Sequence, residues 1–594
     1  MTAVAPDLLP RPRRLRVGAA AVVAAATEPR VALDHTLAPQ GYRLRIDTSG
    51  VTISHADDAG LRYARQTLDQ VRAQSPDGLP ELEVDDAPDL AQRGYMLDIS
   101  RDRVPTRATL ERLVEILALV RINHLELYTE HTFAYRDHEV VWRDADPLTA
   151  DDIAWLDGQC RNAGITLVAN QNCFGHMERW LRHDEYRSRA ECPDGFEVVP
   201  GFTMPPAVLA PTADNAEFAR GLLRELVANF TSRAVNIGCD ETFELGRGVS
   251  RADCAARGTG VVFAEHVLRI AAPLLAEGRE VLFWADMVRS HPEGARPLVR
   301  DGLTPVAWTY EAPPTDGRVA AVPPAMATVF DALGLDLGAH RGFAPLVEPL
   351  LELGVHPWVA PGTSTWNSLV GRLDNALANI DDAVRVGLDI GAPGLLLTDW
   401  GDNGHLQPPA VSLPPIVAAG ASSWCHATNH DLDLPAALDR HVFGDATSGL
   451  GGALDRIGRQ WQHTGRSAFN CSPLQVALLP DQFLAAFGRP DAEAVARVVD
   501  ELDDALAATE SARPTCRDGA AVVAEVANAT RLARHGAWVL ARRIGIAAPD
   551  QVSQAVMLAD DIDDYRACWL ARCRPGGLRD SAEHLQRALA RLTA

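Results

Sequence analysis

The chain has 594 residues, and its 79 acidic against 56 basic side chains give a formal net charge of −23, which disfavours polyanionic partners such as nucleic acid or an anionic membrane surface. Its length exceeds the ~250 to 300 residues at which single cores stop growing, and 47% hydrophobic with 23% charged residues leaves room for a large globular core. The ten cysteines have no C-x-x-C or clustered spacing, so neither a disulfide framework nor a zinc site is expected, and no uninterrupted apolar run approaches the ~20 residues of a membrane span.

Near the start, Arg11 to Arg16 precede an Ala/Val stretch over 17–26 that superficially resembles a secretory leader. The stretch has no Leu or Phe core, and its alternation continues into Val31-Ala32-Leu33, so an N-terminal strand is predicted. This points to the cytoplasm, with a secreted location left open. Every basic side chain is an arginine, a composition bias with no functional reading.

Residues 1–90 alternate as strands do, through 42–46 and 51–54, and then turn helical over 58–71, where Leu61, Ala64, Leu68 and Val71 recur at helix spacing. Pro80 and Pro88 bracket an acidic linker, which ends a small α+β domain. From 91 to about 430 short apolar runs alternate with helical patterns. The predicted strands are 95–100, 124–129, 166–171, 234–238, 281–286, 305–310, 358–362 and 395–400. Eight strands over about 340 residues fit a (β/α)8 TIM barrel with loop insertions. The remaining 431–594 reads as an alanine-rich helical region, with 492–508 and 520–543 as amphipathic core helices.

In such a barrel, chemistry sits where strands run into their following loops. The polar and aromatic residues at those ends are Asp98, Glu130, Asn170, Asp240, Glu241, Asp286, Tyr310, Trp366, Trp400 and Asp402. Within them Asp240-Glu241 stands out, because it follows the apolar run Ala234-Val235-Asn236-Ile237-Gly238-Cys239. Adjacent side chains on a strand point to opposite faces, so both acids reach one pocket only if the strand breaks, as Gly238 allows. A second carboxylate beside the first disfavours ionisation of both, which suits one of the pair to general acid catalysis.

Three segments, Arg93-Gly94-Tyr95-Met96-Leu97-Asp98, Asn172-Cys173-Phe174-Gly175-His176-Met177 and Ile237-Gly238-Cys239-Asp240-Glu241, resemble glycoside hydrolase family 20, the β-N-acetylhexosaminidases. Gly60 to Leu68 resembles the same family's non-catalytic domain, and the likeness is nearest the branch of hexosaminidase D and its bacterial relatives. The resemblance implies a retaining exo-enzyme for terminal β-linked GlcNAc or GalNAc, with the substrate's own 2-acetamido oxygen as nucleophile and an oxazolinium ion as intermediate. It further implies that Glu241 is the acid and base and that Asp240 holds the acetamido N–H. His176 would support Glu241 with Glu130 as its partner, Arg93 and Asp402 would bind sugar hydroxyls, Trp284, Trp366 and Trp400 would wall the sugar and the acetamido methyl, and Tyr310 or Trp366-Asn367 would take the place of the family's acetamido-clamping tyrosine.

The chain departs from the family in having Asn236 four residues before Asp240, where a His is usual, and in lacking a clean Tyr-x-Asp acetamido clamp. No cofactor and no metal are implied, and the expected partner is a small-molecule or oligosaccharide substrate with a terminal N-acetylhexosamine; a homo-oligomer is left open. Two other readings remain: a catalytically impaired sugar-binding barrel, and a metal-dependent isomerase using Asp98, Asp240 and Asp286.

Overall fold

The computed structural model describes residues 4–593 apart from 20, 102, 315–323, 334–340, 448, 465–468 and 479–489. The first unit is a five-stranded sheet of β1 (Arg14–Val17), β2 (Arg30–Leu33), β3 (Tyr42–Asp47), β4 (Gly50–His55) and β5 (Leu82–Asp86), in the order β1-β5-β3-β4-β2. Alternation puts Tyr42, Leu44 and Ile46 with Val51 and Ile53 on one face. There they meet Tyr63, Ala64, Leu68 and Val71 of the helix Asp58–Gln74, whose N-terminus is capped by the Asp57 side chain. Past β1 the chain stays beside residues 79–81 through Gly18 N–H to Glu81 O and Val22 N–H to Leu79 O; Ala20 lies outside the described residues.

The barrel strands are β6 (Gln92–Asp98), β7 (His124–Thr129), β8 (Thr166–Gln171), β11 (Ala234–Asn236), β12 (Glu280–Trp284), β13 (Leu303–Trp308), β14 (Trp358–Ala360) and β15 (Gly394–Asp399). A hairpin of β9 (Phe196–Val199) and β10 (Phe202–Met204) sits in the loop after β8. All eight barrel strands pair in parallel and close in the order β11-β12-β13-β14-β15-β6-β7-β8. The register aligns Asp98 with Tyr128, Tyr128 with Asn170, and Asn170 with Asn236. The loops leaving β6, β7, β8 and β11 therefore emerge on one rim.

Below that rim Glu126 lies buried in the barrel and accepts from His124 Nε2, Asn170 Nδ2 and Asn236 Nδ2 at 2.7, 2.7 and 3.0 Å. Asn236 is thus part of an interior polar layer tying three strands together. The helix Thr259–Ala276 has the length and apolarity of a membrane span by composition alone, contrary to the expectation that no apolar run comes near that length. Its buried side packs on β12 and on the helix Ala213–Val227, as an outer barrel helix does.

After the barrel, helices Leu450–His463, Ala492–Ser511, Gly519–Ile544, Gln551–Arg572 and Leu578–Thr593 pack in sequence. The segment between the last two helices clamps the barrel loops. Arg572 O accepts from Thr106 N, and Arg574 donates to Val104 O, Pro147 O and Asp152. Ser581, on the last helix, bonds Gly404 O in the loop that carries Asp402.

Candidate active site

Strand β11 stops at Asn236, and three of the next five residues leave extended geometry: Gly238, Cys239 and Glu241 have φ of +67°, +70° and +49°. A Cβ on Gly238 would lie 2.6 Å from the Asn172 side chain, so only glycine lets the β8 and β11 loops meet. Left-handed non-glycine residues cost roughly 1–3 kcal/mol each and persist where their surroundings fix them. The break turns both acids toward one imidazole. His176 Nε2 stands 3.2 Å from Asp240 Oδ2 and 3.3 Å from Glu241 Oε2.

The two acids differ in depth. The Asp240 side chain is 7% exposed and that of Glu241 33%. Asp240 Oδ1 also accepts from Asn172 Nδ2 at 2.6 Å. Burial alone would raise Asp240, but His176 and Asn172 outweigh it and hold the carboxyl below its ordinary value. For His176 the balance is the mirror image: burial lowers it, yet Asp240 and Glu241 together raise it well above an ordinary imidazole. On its other side Nδ1 meets Arg101 Nη2 at 3.2 Å and Glu130 Oε1 at 3.8 Å. A neutral ring accepts from Arg101 at Nδ1, while Glu130 at 3.8 Å acts on the ring by its charge alone.

Arg101 organises the neighbouring wall. It lies 3.2 Å from Asp98 and 3.5 Å from Glu130 and sits over the rings of Tyr128 and Trp400 at 5.0 and 5.1 Å. Asp98 is saturated by the N–H groups of Ser100, Arg101 and Gly401, so it anchors Arg101 and is no free metal ligand. Among the described residues no group of three or more His, Cys, Asp or Glu side chains could hold a metal ion. Burial raises Glu130 and Asp402, with Arg101 opposing in each case. Asp402 also feels Asp98, Glu241 and His176, which puts it in the same cluster.

Beside the acids the barrel interior holds a box of packed aromatic rings. Trp284 and Trp400 are 6.1 Å apart, Tyr310 meets Trp366 edge-on at 5.2 Å, and Trp308 stacks on Tyr310 at 5.2 Å. A Cβ on Gly362 would lie 2.5 Å from Trp366 and 2.9 Å from Tyr310, so that glycine lets the box close. The indole N–H groups of Trp284 and Trp366 are buried and find no partner among the described residues. Such a wall is apolar with unspent donors, which suits a polar ligand with an apolar face.

The structure thus gathers Asp240, Glu241, His176, Glu130, Trp284, Tyr310, Trp366, Trp400 and Asp402. Arg93 is not among them, and the sequence expectation for it is corrected. It lies fully buried at the opposite end of β6, where it donates to Arg121 O, Leu90 O, Ala91 O, Gln40 and Tyr63 under the first domain. Five residues of strand separate it from Asp98, about 16 Å at ~3.3 Å per residue. The arginine at the rim is Arg101, three residues past Asp98, and the rule that chemistry follows the strand's end could have found it. Tyr128 and Trp308 were also missed, since an aromatic inside a strand reads as core.

Comparison with known proteins agrees with this architecture. Residues 10–87 match "Glycosyl hydrolase family 20, domain 2", and residues 91–313 match "Glycosyl hydrolase family 20, catalytic domain". The chain belongs to glycosyl hydrolase family 20. Within that family it is 25% identical over 212 residues to a lacto-N-biosidase of Bifidobacterium bifidum, covering 34% of this chain and 18% of that protein. It is 36% identical over 88 residues to the N,N'-diacetylchitobiase of Vibrio harveyi, covering 15% and 10%. The chain therefore spans less than a fifth of the length of the curated relatives it matches. The solved chitobiase of Flavobacterium johnsoniae superposes with a TM-score of 0.54 at 13% identity, over 98% of this chain and 99% of that one. That likeness carries the family fold through the C-terminal helices.

Proposed function

We propose that this family 20 protein is a retaining exo-β-N-acetylhexosaminidase that releases terminal β-linked GlcNAc or GalNAc by substrate-assisted catalysis. The observation that carries the reading is the unequal depth of two acids sharing one imidazole, beside a box of indoles. The buried, ionised Asp240 suits the floor of a pocket, where it would accept the acetamido N–H and offset the charge of an oxazolinium ring. The more exposed Glu241 suits the mouth, where it would protonate the leaving oxygen and later deprotonate the incoming water.

In this reading no enzyme nucleophile is needed, because the acetamido oxygen attacks C1 and the bond to the aglycone oxygen breaks as that oxygen takes the Glu241 proton. Water then opens the oxazolinium ring and returns a proton to Glu241. Orientation is the protein's main task, since intramolecular attack carries an effective molarity on the order of 10⁵ M or more. Trp284, Trp366, Trp400 and Tyr310 would hold the ring and the acetamido methyl, and Arg101 with Asp402 would bind the outer hydroxyls. Chitobiase and lacto-N-biosidase, the names of the two relatives above, both point to glycans carrying N-acetylhexosamine.

The test is hydrolysis of paired 4-nitrophenyl β-GlcNAc and β-GalNAc substrates by wild type and Glu241→Gln. The variant should lose about 10² to 10⁴ in rate on poor leaving groups. Near-normal turnover by Glu241→Gln would remove its assignment, and no cleavage by wild type beside a working control would remove the function. An equal rate on glycosides lacking the acetamido group would remove the assisted mechanism.

A further inference from the structure

We infer that Asp286 is a positioning residue for the proton donor: by accepting the Glu241 backbone N–H it sets the direction in which the Glu241 side chain leaves the β11 loop. The inference rests on the proposed role of Glu241 and adds to it a residue that never touches substrate. Asp286 lies two residues past β12, and its Oδ2 accepts from Glu241 N at 3.0 Å. That bond spans 45 residues of sequence and joins the ends of two adjacent barrel strands.

Local structure does not account for the carboxylate. Asp286 opens a helix of five residues, Asp286–Ser290, whose N-cap is Ala285 and which has no side-chain cap bond. The carboxyl group faces away from its own helix, toward the neighbouring loop. Its other oxygen, Oδ1, is buried without a hydrogen-bond partner among the described residues. Burial and the proximity of Asp240 push the group up to about 7; the bond from the Glu241 N–H opposes the rise, the Glu241 charge adds to it, and Arg289 opposes it. A buried acid beside two others is costly, so an apolar side chain would serve packing better.

What the acid does hold is a strained residue. Glu241 sits at φ +49°, and its N–H is fixed by Asp286 while its carbonyl accepts from Phe243 N at 2.8 Å. The Asp240 side chain is held by both Asn172 and His176, whereas the Glu241 side chain shares only His176. Without Asp286 the Glu241 N–H has no partner across the loop, and the peptide is free to relax out of its left-handed conformation. The general acid would then move while the acetamido clamp stayed in place.

The experiment compares leaving groups. Activated 2,4-dinitrophenyl β-GlcNAc hardly needs acid assistance for the first bond cleavage, whereas a 4-methoxyphenyl β-GlcNAc does. Asp286→Leu, which fills the same space, and Asp286→Ala should lose about 10- to 100-fold in kcat/KM on the methoxyphenyl substrate and stay within about threefold on the dinitrophenyl one. Asp286→Asn, whose amide oxygen can still accept the N–H, should recover most of the loss. Should Asp286→Ala fail to fold, Asp286→Leu carries the comparison. Equal losses on both substrates, or no loss on the poor leaving group, would overturn the inference while leaving the proposed function intact. Wild type inactive on both substrates would overturn the function and this inference together.

Discussion

Replacing His176 with Asn tests the centre of the site most directly, because it deletes the charge between the two acids while keeping one N–H donor. At an effective dielectric near ~20, an imidazolium 3.2–3.3 Å from Asp240 and from Glu241 gains about 5 kcal/mol from each, and about 4 from Glu130 at 3.8 Å. Arg101 at 3.2 Å takes back about 5 kcal/mol, and removing the ion from water costs about 5–7 kcal/mol more. The remainder is about 2–4 kcal/mol, or about 30- to 900-fold in rate if it is expressed in the transition state. The assay is kcat/KM on 4-nitrophenyl β-GlcNAc near pH 6, with circular dichroism to verify that the variant is folded. A folded His176→Asn protein within threefold of wild type would refute the reasoning, because the two acids would then have no need of the charge between them.

The same residue fixes a pH dependence of stability. Burial lowers His176, but Asp240 and Glu241 raise it further, so its folded value lies above the unfolded one; the stabilisation is complete below about pH 6.5 and is lost as pH rises through the folded value. Thermal melts should show the largest gap between wild type and His176→Asn at pH 6 or below, narrowing on the alkaline side; a gap that widens with pH would contradict the sign. The two arginines of β6 and its loop should separate cleanly. Arg101→Met should cost at least about 10²-fold in kcat/KM, by unpairing buried Asp98 and Glu130, in a protein that still melts cooperatively. Arg93→Met should lower the melting temperature, with about 2–4 kcal/mol of stability lost through carbonyls left unpaired, and leave kcat/KM of the folded fraction unchanged. A reversed pattern would return Arg93 to the site.

Much of the fold was legible along the chain because its signals are local. Buried parallel strands read as short apolar runs between helical patterns, and the predicted 124–129 and 166–171 coincide with β7 and β8. The others drift by one to three residues at one end or both, most at β6, predicted over 95–100 and found at Gln92–Asp98. Boundaries depend on which backbone groups find partners across the barrel, and that is not written in the segment itself. The aromatic walls were partly legible, since Trp366 and Trp400 sit at strand ends, whereas Trp308 and Tyr128 lie within or at the end of strands and look like core.

By itself the sequence determined the eight-strand alternation, the glycine that breaks β11, and the consecutive acids that follow it, because each is a matter of residue type at short spacing. Only the tertiary structure decided which arginine reaches the rim, that one imidazole bridges both acids, that Asp286 holds Glu241 from the neighbouring strand, and that the last helix braces the loop of Asp402. These are contacts between residues tens to hundreds of positions apart. Barrel closure and register create them, and the same local pattern placed at the other end of a strand, as with Arg93, meets entirely different neighbours.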